Sequence, residues 1–141
     1  MTRDYYGTKR VTAWPQQGKD PGSGTYELGP DGYAVKYADG YISWSPKEVF
    51  EAAYQPLDAL SFGHAIQAIT EGHKVARAGW NGKGMFLVLM NHGWTGFSDA
   101  KFQGFFPSLP FIAMKTADDK MVPWLASQTD MLANDWQIME E

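Results

Sequence analysis

The spacing of apolar residues changes along the chain. Tyr33, Val35 and Tyr37 alternate with Ala34 and Lys36, and Tyr41, Ile42 and Trp44 follow after Asp39-Gly40. A period of two places every second side chain on one face of a strand. Asp-Gly between two such runs predicts a β-hairpin, because both residues tolerate the positive φ of a tight turn. Ser45-Pro46-Lys47-Glu48 then reads as a helix start. Ser45 would be the N-cap, Pro46 the first helical residue, and Glu48 the acidic partner three positions on. This helix is expected to bury Val49, Phe50 and Ala53 and to stop before Pro56, which disfavours helix in the residue ahead of it. Gly18 to Gly32, rich in Gly, Pro, Ser and Asp, reads as a loop.

Further on, Phe62, Ala65, Ile66 and Ile69 fall on one stripe of a helix that Ser61 can cap. Gly72 suits the left-handed position just past its end. His73 to Trp80 reads as a strand and Asn81 to Gly84 as a turn. Met85 to Met90 is a near-continuous apolar run, expected to be a buried central strand. Phe111 to Met114 and Lys120 to Trp124 form two more strands around Thr116-Ala117-Asp118-Asp119. Thr129 or Asp130 can cap a short helical turn through Ala133, and Asp135 to Met139 closes as a last strand. One helix followed by about five short strands predicts an α+β fold with a small antiparallel sheet, preceded by a hairpin and a short capped helix.

Composition sets limits. With 141 residues the chain can hold one domain, or a small domain with an appendage. All seven tyrosines lie at or before Tyr54, and every methionine except Met1 lies at or after Met85. The shift predicts two units, 1–56 and 57–141. A hydrophobic content of 44% with 15% aromatics excludes global disorder. A net charge of −4 argues against a partner that is a nucleic-acid polymer, which calls for a basic face. With no cysteine there is no disulfide or thiolate metal site, and a reducing cytosol is the natural compartment. No apolar run is long enough for a membrane helix, and Met1 to Arg10 has no signal-peptide pattern.

Candidate chemistry concentrates in two stretches. Gly79-Trp80-Asn81-Gly82-Lys83-Gly84-Met85 and Pro123-Trp124-Leu125-Ala126-Ser127-Gln128-Thr129-Asp130 each set a large ring beside short polar groups and bendable backbone. Glycines around a turn let a ligand approach backbone N–H groups, and Lys83 can meet a phosphate as a point charge. The plain alternative is a core tryptophan followed by an ordinary Asn-Gly turn. Ser127 to Asp130 likewise reads either as a helix cap or as a set that accepts from ribose hydroxyls or a base amine. Gly93 to Phe106 is a long aromatic segment, expected to be a loop that covers a ligand, a neighbouring subunit or its own sheet. His64, His73 and His92 lack metal spacing, and HExxH, GxSxG and P-loop patterns are absent. No cofactor and no catalytic set are implied.

These motifs, together with Phe62-Gly63-His64-Ala65, Lys74-Val75-Ala76-Arg77-Ala78, Pro110-Phe111-Ile112-Ala113-Met114-Lys115-Thr116 and Met131-Leu132-Ala133-Asn134-Asp135-Trp136, resemble the Thoeris anti-defence 2 family of phages and prophages. The resemblance spans about residues 60–141. It implies a sponge: a protein that holds a cyclic ADP-ribose isomer, glycocyclic ADP-ribose made by bacterial TIR-domain proteins, uncleaved in the host cytoplasm. Some members also hold cyclic dinucleotides at a separate place. The family forms homo-oligomers, commonly tetramers. Carried over, the candidate ligand-binding residues are Trp80, Asn81, Gly82, Lys83, Met85, Trp124, Ser127, Thr129 and Asp130.

Residues 1–56 depart from the shortest members of that family. Gly32 to Lys47 resembles a segment common in small phage proteins. Two other readings stand beside the sponge. One is a structural or protein-binding phage module that uses the aromatic segment as its contact. The other is an enzyme that degrades a cyclic nucleotide signal, which would need His92 with Asp99 or Asp130.

Overall fold

A computed structural model describes residues 1–18, 29–80, 84–91, 94–99, 102–107 and 109–139, the backbone alone for 94–99 and 102–107. The chain divides into two compact units, Met1–Gln55 and Pro56–Glu141.

The first unit is a three-stranded antiparallel sheet of order β1-β2-β3, built from β1 (Thr12–Pro15), β2 (Gly32–Lys36) and β3 (Ile42–Pro46), followed by α1 (Lys47–Ala53). The hairpin lies where Asp39-Gly40 predicts it. Gly40 has φ 88°, a left-handed backbone that glycine adopts without strain. β1 is an addition, since Thr12–Pro15 is too short to show a period. The helix start differs from expectation. Ser45 pairs with Tyr33 as part of β3, so its backbone is already committed to the ladder. Pro46 is the N-cap, with no side-chain cap bond, and α1 begins at Lys47. Val49 is 60% exposed and Ala53 is exposed too. Phe50 instead stacks between Tyr33 and Tyr54, at 4.3 and 4.9 Å between ring centroids. The seven-residue helix thus meets the sheet through the Phe50 ring and a hydrogen bond that Glu51 accepts from the Tyr33 hydroxyl, rather than through a buried stripe. Of the Gly18–Gly32 loop, 19–28 lie outside the described residues.

The second unit holds α2 (Phe62–Thr70), α3 (Gln128–Met131) and a five-stranded antiparallel sheet of order β10-β4-β5-β8-β9. Its strands are β4 (Lys74–Arg77), β5 (Phe86–Met90), β8 (Phe111–Lys115), β9 (Met121–Pro123) and β10 (Trp136–Met139). The α+β architecture agrees with the sequence reading. Ser61 caps α2 by accepting from the His64 backbone N–H, at 3.3 Å. Gly72, at φ 93°, ends the helix. Its N–H reaches Ile69 O and the His73 N–H reaches Ala68 O, both at 3.0 Å, the Schellman pattern that satisfies the last carbonyls.

Register decides which residues meet α2. Val75 lies opposite Leu87 on one side and Ile138 on the other, and Leu87 lies opposite Met114. This face and the α2 stripe of Ala65, Ala68 and Ile69 form the core, with Leu60 and Trp136. Trp136 is 0% exposed. Burying a ring of that size contributes about 4–6 kcal/mol, from ~150–250 Å² at ~25 cal/mol per Å².

Three expectations in this unit are revised. The apolar run supplies a central strand only from Phe86 to Met90, and of these only Leu87 is fully buried, because the run is spread over both faces. The segment expected as a loop, Gly93 to Phe106, holds an antiparallel ribbon of β6 (Trp94–Asp99) and β7 (Phe102–Pro107), a two-stranded sheet of its own. The first strand of the unit spans only Lys74–Arg77, since the chain turns when the Trp80 N–H bonds to Arg77 O. No helix among the described residues is long and apolar enough to cross a membrane.

Candidate functional site

Arg77 and Trp136 are paired residues on β4 and β10, at one end of the sheet. The turn after β4 folds Trp80 back onto the core, where it meets Trp124, which follows β9. Trp80, Trp124 and Trp136 contact one another edge to face, with centroids 5.4–6.4 Å apart. Phe62, the first residue of α2, adds a tilted ring 5.6 Å from Trp136 and 6.3 Å from Trp124. Trp136 is the floor of this cluster. Trp80 and Trp124 are only partly buried and keep some ring surface in water. Edge-to-face contact is the geometry the ring quadrupole favours, so each pair adds about 0.5–1.5 kcal/mol beyond area burial.

Beside the rings lies a polar network. Ser127, not Thr129 or Asp130, is the N-cap of α3. Its Oγ accepts from the Asp130 N–H at 3.1 Å, and the Asp130 carboxylate accepts from the Ser127 N–H at 3.2 Å. This reciprocal capping box satisfies two of the orphan donors at a helix start. Ser127 Oγ also donates to Asp130 Oδ2 at 2.7 Å. A hydroxyl has one proton, so the 2.9 Å contact between Ser127 Oγ and Thr129 Oγ1 is donated by Thr129. Asp130 Oδ1 accepts from Arg77 Nη1 at 3.0 Å. Arg77 Nε donates to Asp135 Oδ1 at 2.9 Å, and Asp135 Oδ2 accepts from the Gly79 N–H at 3.3 Å. Trp136 Nε1 donates to Asp130 O at 2.9 Å, which ties the aromatic floor to the same helix turn.

The charges respond accordingly. Burial pushes the Asp130 carboxyl up, but hydrogen bonds from Ser127 and Arg77 outweigh it and hold the group below its ordinary pKa. The Arg77 hydrogen bond likewise lowers Asp135, against a smaller effect of burial. Arg77 is raised, by Asp135 first and Asp130 second. The triad therefore holds one cation and two anions.

The structure thus brings together Trp80, Trp124, Ser127, Thr129 and Asp130 from two distant stretches. Ser127 and Asp130 spend most of their hydrogen-bonding capacity on each other and on Arg77, leaving the Thr129 lone pairs more open. Asn81, Gly82, Lys83 and His92 lie outside the described residues. Met85 is partly exposed, just ahead of β5. Asp118 and Asp119 occupy the turn after β8, 65% and 81% exposed, paired with Lys120 and Lys115 respectively. Hydrogen bonds from Lys120, then Thr116, keep Asp118 below its ordinary pKa. No metal-binding cluster of His and acidic side chains occurs among the described residues.

Arg77, Asp135 and Trp136 were not singled out by the motifs, although all three join the network of rings and hydrogen bonds around the candidate residues. One signal existed: an arginine on the inward parity of a strand needs an anionic partner, and the chain supplies Asp130 and Asp135 close together. Phe62 was assigned to the helix stripe, which it joins while also edging the tryptophans.

The Tad2-like model, a Thoeris anti-defense 2-like domain, matches residues 60–139. A protein named Thoeris anti-defense 2, from Bacillus phage SP01, is 42% identical over 86 residues, covering 57% of this chain and 94% of that protein. The match takes in α2, the whole five-stranded sheet and both tryptophan motifs, so the chain belongs to the Thoeris anti-defense 2-like family of anti-defence proteins.

Proposed function

We propose that this protein binds and sequesters a cyclic ADP-ribose-type immune signal, glycocyclic ADP-ribose, without cleaving it, and so blocks Thoeris immunity in the cytoplasm of the host bacterium. The observation that carries this reading is the convergence of Trp80 and Trp124 with the Ser127–Asp130 turn on one patch of a family domain. The free ring surface of Trp80 or Trp124 stacks on adenine, a contact worth roughly 1–3 kcal/mol per base. The Thr129 hydroxyl oxygen accepts from a ribose hydroxyl. Backbone N–H groups of Gly82 to Gly84, with Lys83, take the pyrophosphate. A useful sponge needs a dissociation constant well below micromolar, about −8 kcal/mol or stronger. A cyclic dinucleotide is a second ligand in the same proposal, at a separate place.

Assembly belongs to the same reading. The sheet face opposite α2 carries Met90, Phe111 and Met121, 39–49% exposed. A homo-oligomer, a tetramer by resemblance to the family, buries that face.

The test is mass spectrometry of what the purified protein retains from the products a TIR-domain enzyme makes from NAD. Heat denaturation should release an intact cyclic ADP-ribose isomer, at most one per binding site. Hydrolysed product accumulating beyond the amount of protein would refute sequestration. If no nucleotide raises the melting temperature, the protein-binding module takes its place.

A further inference from the structure

We propose that Arg77 is the positioning residue of this site: one guanidinium sets the separation of the two tryptophan motifs. It depends on the sequestration reading only for its consequence to the ligand. Arg77 Nη1 holds Asp130, whose carboxylate takes the Ser127 N–H and so completes the capping box of the turn that carries Ser127 and Thr129. Arg77 Nε holds Asp135, whose other oxygen takes the Gly79 N–H next to Trp80. The path from Gly79 to Ser127 thus runs through two carboxylates and one planar side chain. Guanidinium is a rigid fork with five donors, so it fixes two partners in one plane at once. Lysine carries the same charge as a single rotating point and cannot fix both. Two carboxylates already neutralise Arg77 in excess, so it is poorly suited to serve as the phosphate contact itself.

Position, rather than binding strength, is what such a bridge supplies. A ligand that stacks on Trp80 or Trp124 and bonds to Thr129 needs both motifs at one spacing. If they drift independently, ordering them is deducted from the affinity at each binding event.

The experiment compares the full chain with Arg77→Lys and with Asp135→Asn, by backbone ¹⁵N order parameters and by retention of cyclic ADP-ribose isomers from the TIR product mixture. In Arg77→Lys, Gly79, Trp80, Ser127 and Thr129 should fall together from the rigid value of about 0.85 toward about 0.6, while α2 stays rigid. In Asp135→Asn only Gly79 and Trp80 should loosen. Each variant should release the retained ligand at least tenfold faster, at temperatures where both remain folded. Wild-type rigidity in both motifs of Arg77→Lys, or loosening of one alone, overturns the proposal. So does unchanged release. Should Arg77→Lys fail to fold, Asp135→Asn decides alone: loosening confined to its own motif supports the bridge, and none refutes it. If the unaltered protein retains no cyclic ADP-ribose isomer, the sequestration reading falls, and the order parameters still decide the role of Arg77.

Discussion

Replacing Asp130 with asparagine keeps the size and shape of the side chain and removes one of its two acceptor oxygens. In the native site Oδ1 takes Arg77 Nη1 and Oδ2 takes both the Ser127 hydroxyl and the Ser127 N–H. Asparagine must turn its amide NH2 toward either the guanidinium or the Ser127 backbone N–H, and neither of these donors can accept it. One charge-assisted hydrogen bond is lost, at about 1.5–3 kcal/mol. Stranding a buried charge costs about 3–5 kcal/mol, but Arg77 keeps Asp135, so the lower range applies. A loss of about 2 kcal/mol lowers the melting temperature of a unit this size by about 8–16 °C. The pH dependence has a definite sign. The folded carboxyl titrates below its ordinary value. Its stabilisation is therefore complete above the unfolded pKa of about 3.9 and disappears as pH falls through the folded one. Asparagine does not titrate, so the gap between the proteins should hold from pH 7 to about pH 4 and narrow below that. Calorimetry across that range is the assay. A gap under about 0.5 kcal/mol at pH 7 would put Asp130 among ordinary surface positions. A gap that fails to narrow in acid would mean the carboxylate charge contributes nothing.

Other substitutions separate folding from binding. Trp136→Ala should cost about 3–5 kcal/mol and abolish the cooperative transition of the second unit, whereas Trp80→Ala, on the rim, should leave a folded protein. Trp80→Ala should still weaken retention of the cyclic ADP-ribose isomer by roughly 5- to 150-fold; normal retention would make Trp80 a packing residue only. Gly32→Ala would drive a methyl group into the Ser45 carbonyl and the Trp44 ring, so circular dichroism and proteolysis should report loss of the 1–55 unit. A truncation beginning at Pro56 should fold and bind, as judged by light scattering and ligand retention. A folded truncation that no longer binds would assign part of the site to residues 1–55.

What the sequence determined by itself was local. Asp39-Gly40 specified the hairpin, because its backbone chemistry fits no other use between two alternating runs. Ser61 and Gly72 bounded α2, because caps act on their own helix. The period of the apolar residues specified the core face and with it the α+β class. The tryptophan motifs were legible as ring and polar groups in close succession. Errors arose where a local rule met a competitor. Ser45 had the chemistry of a cap, but pairing with Tyr33 claimed it for β3. Gly93 to Phe106 had the composition of a loop, but pairing of β6 with β7 made a ribbon, and pairing is not a local property. Only the tertiary structure decided that Trp80, Trp124, Trp136 and Phe62 form one cluster, and that Ser127 rather than Thr129 or Asp130 caps α3. It alone set Arg77 between Asp130 and Asp135, residues more than fifty positions away along the chain. Such contacts depend on strand order and register, in which a shift of one residue would send Arg77 to the opposite face.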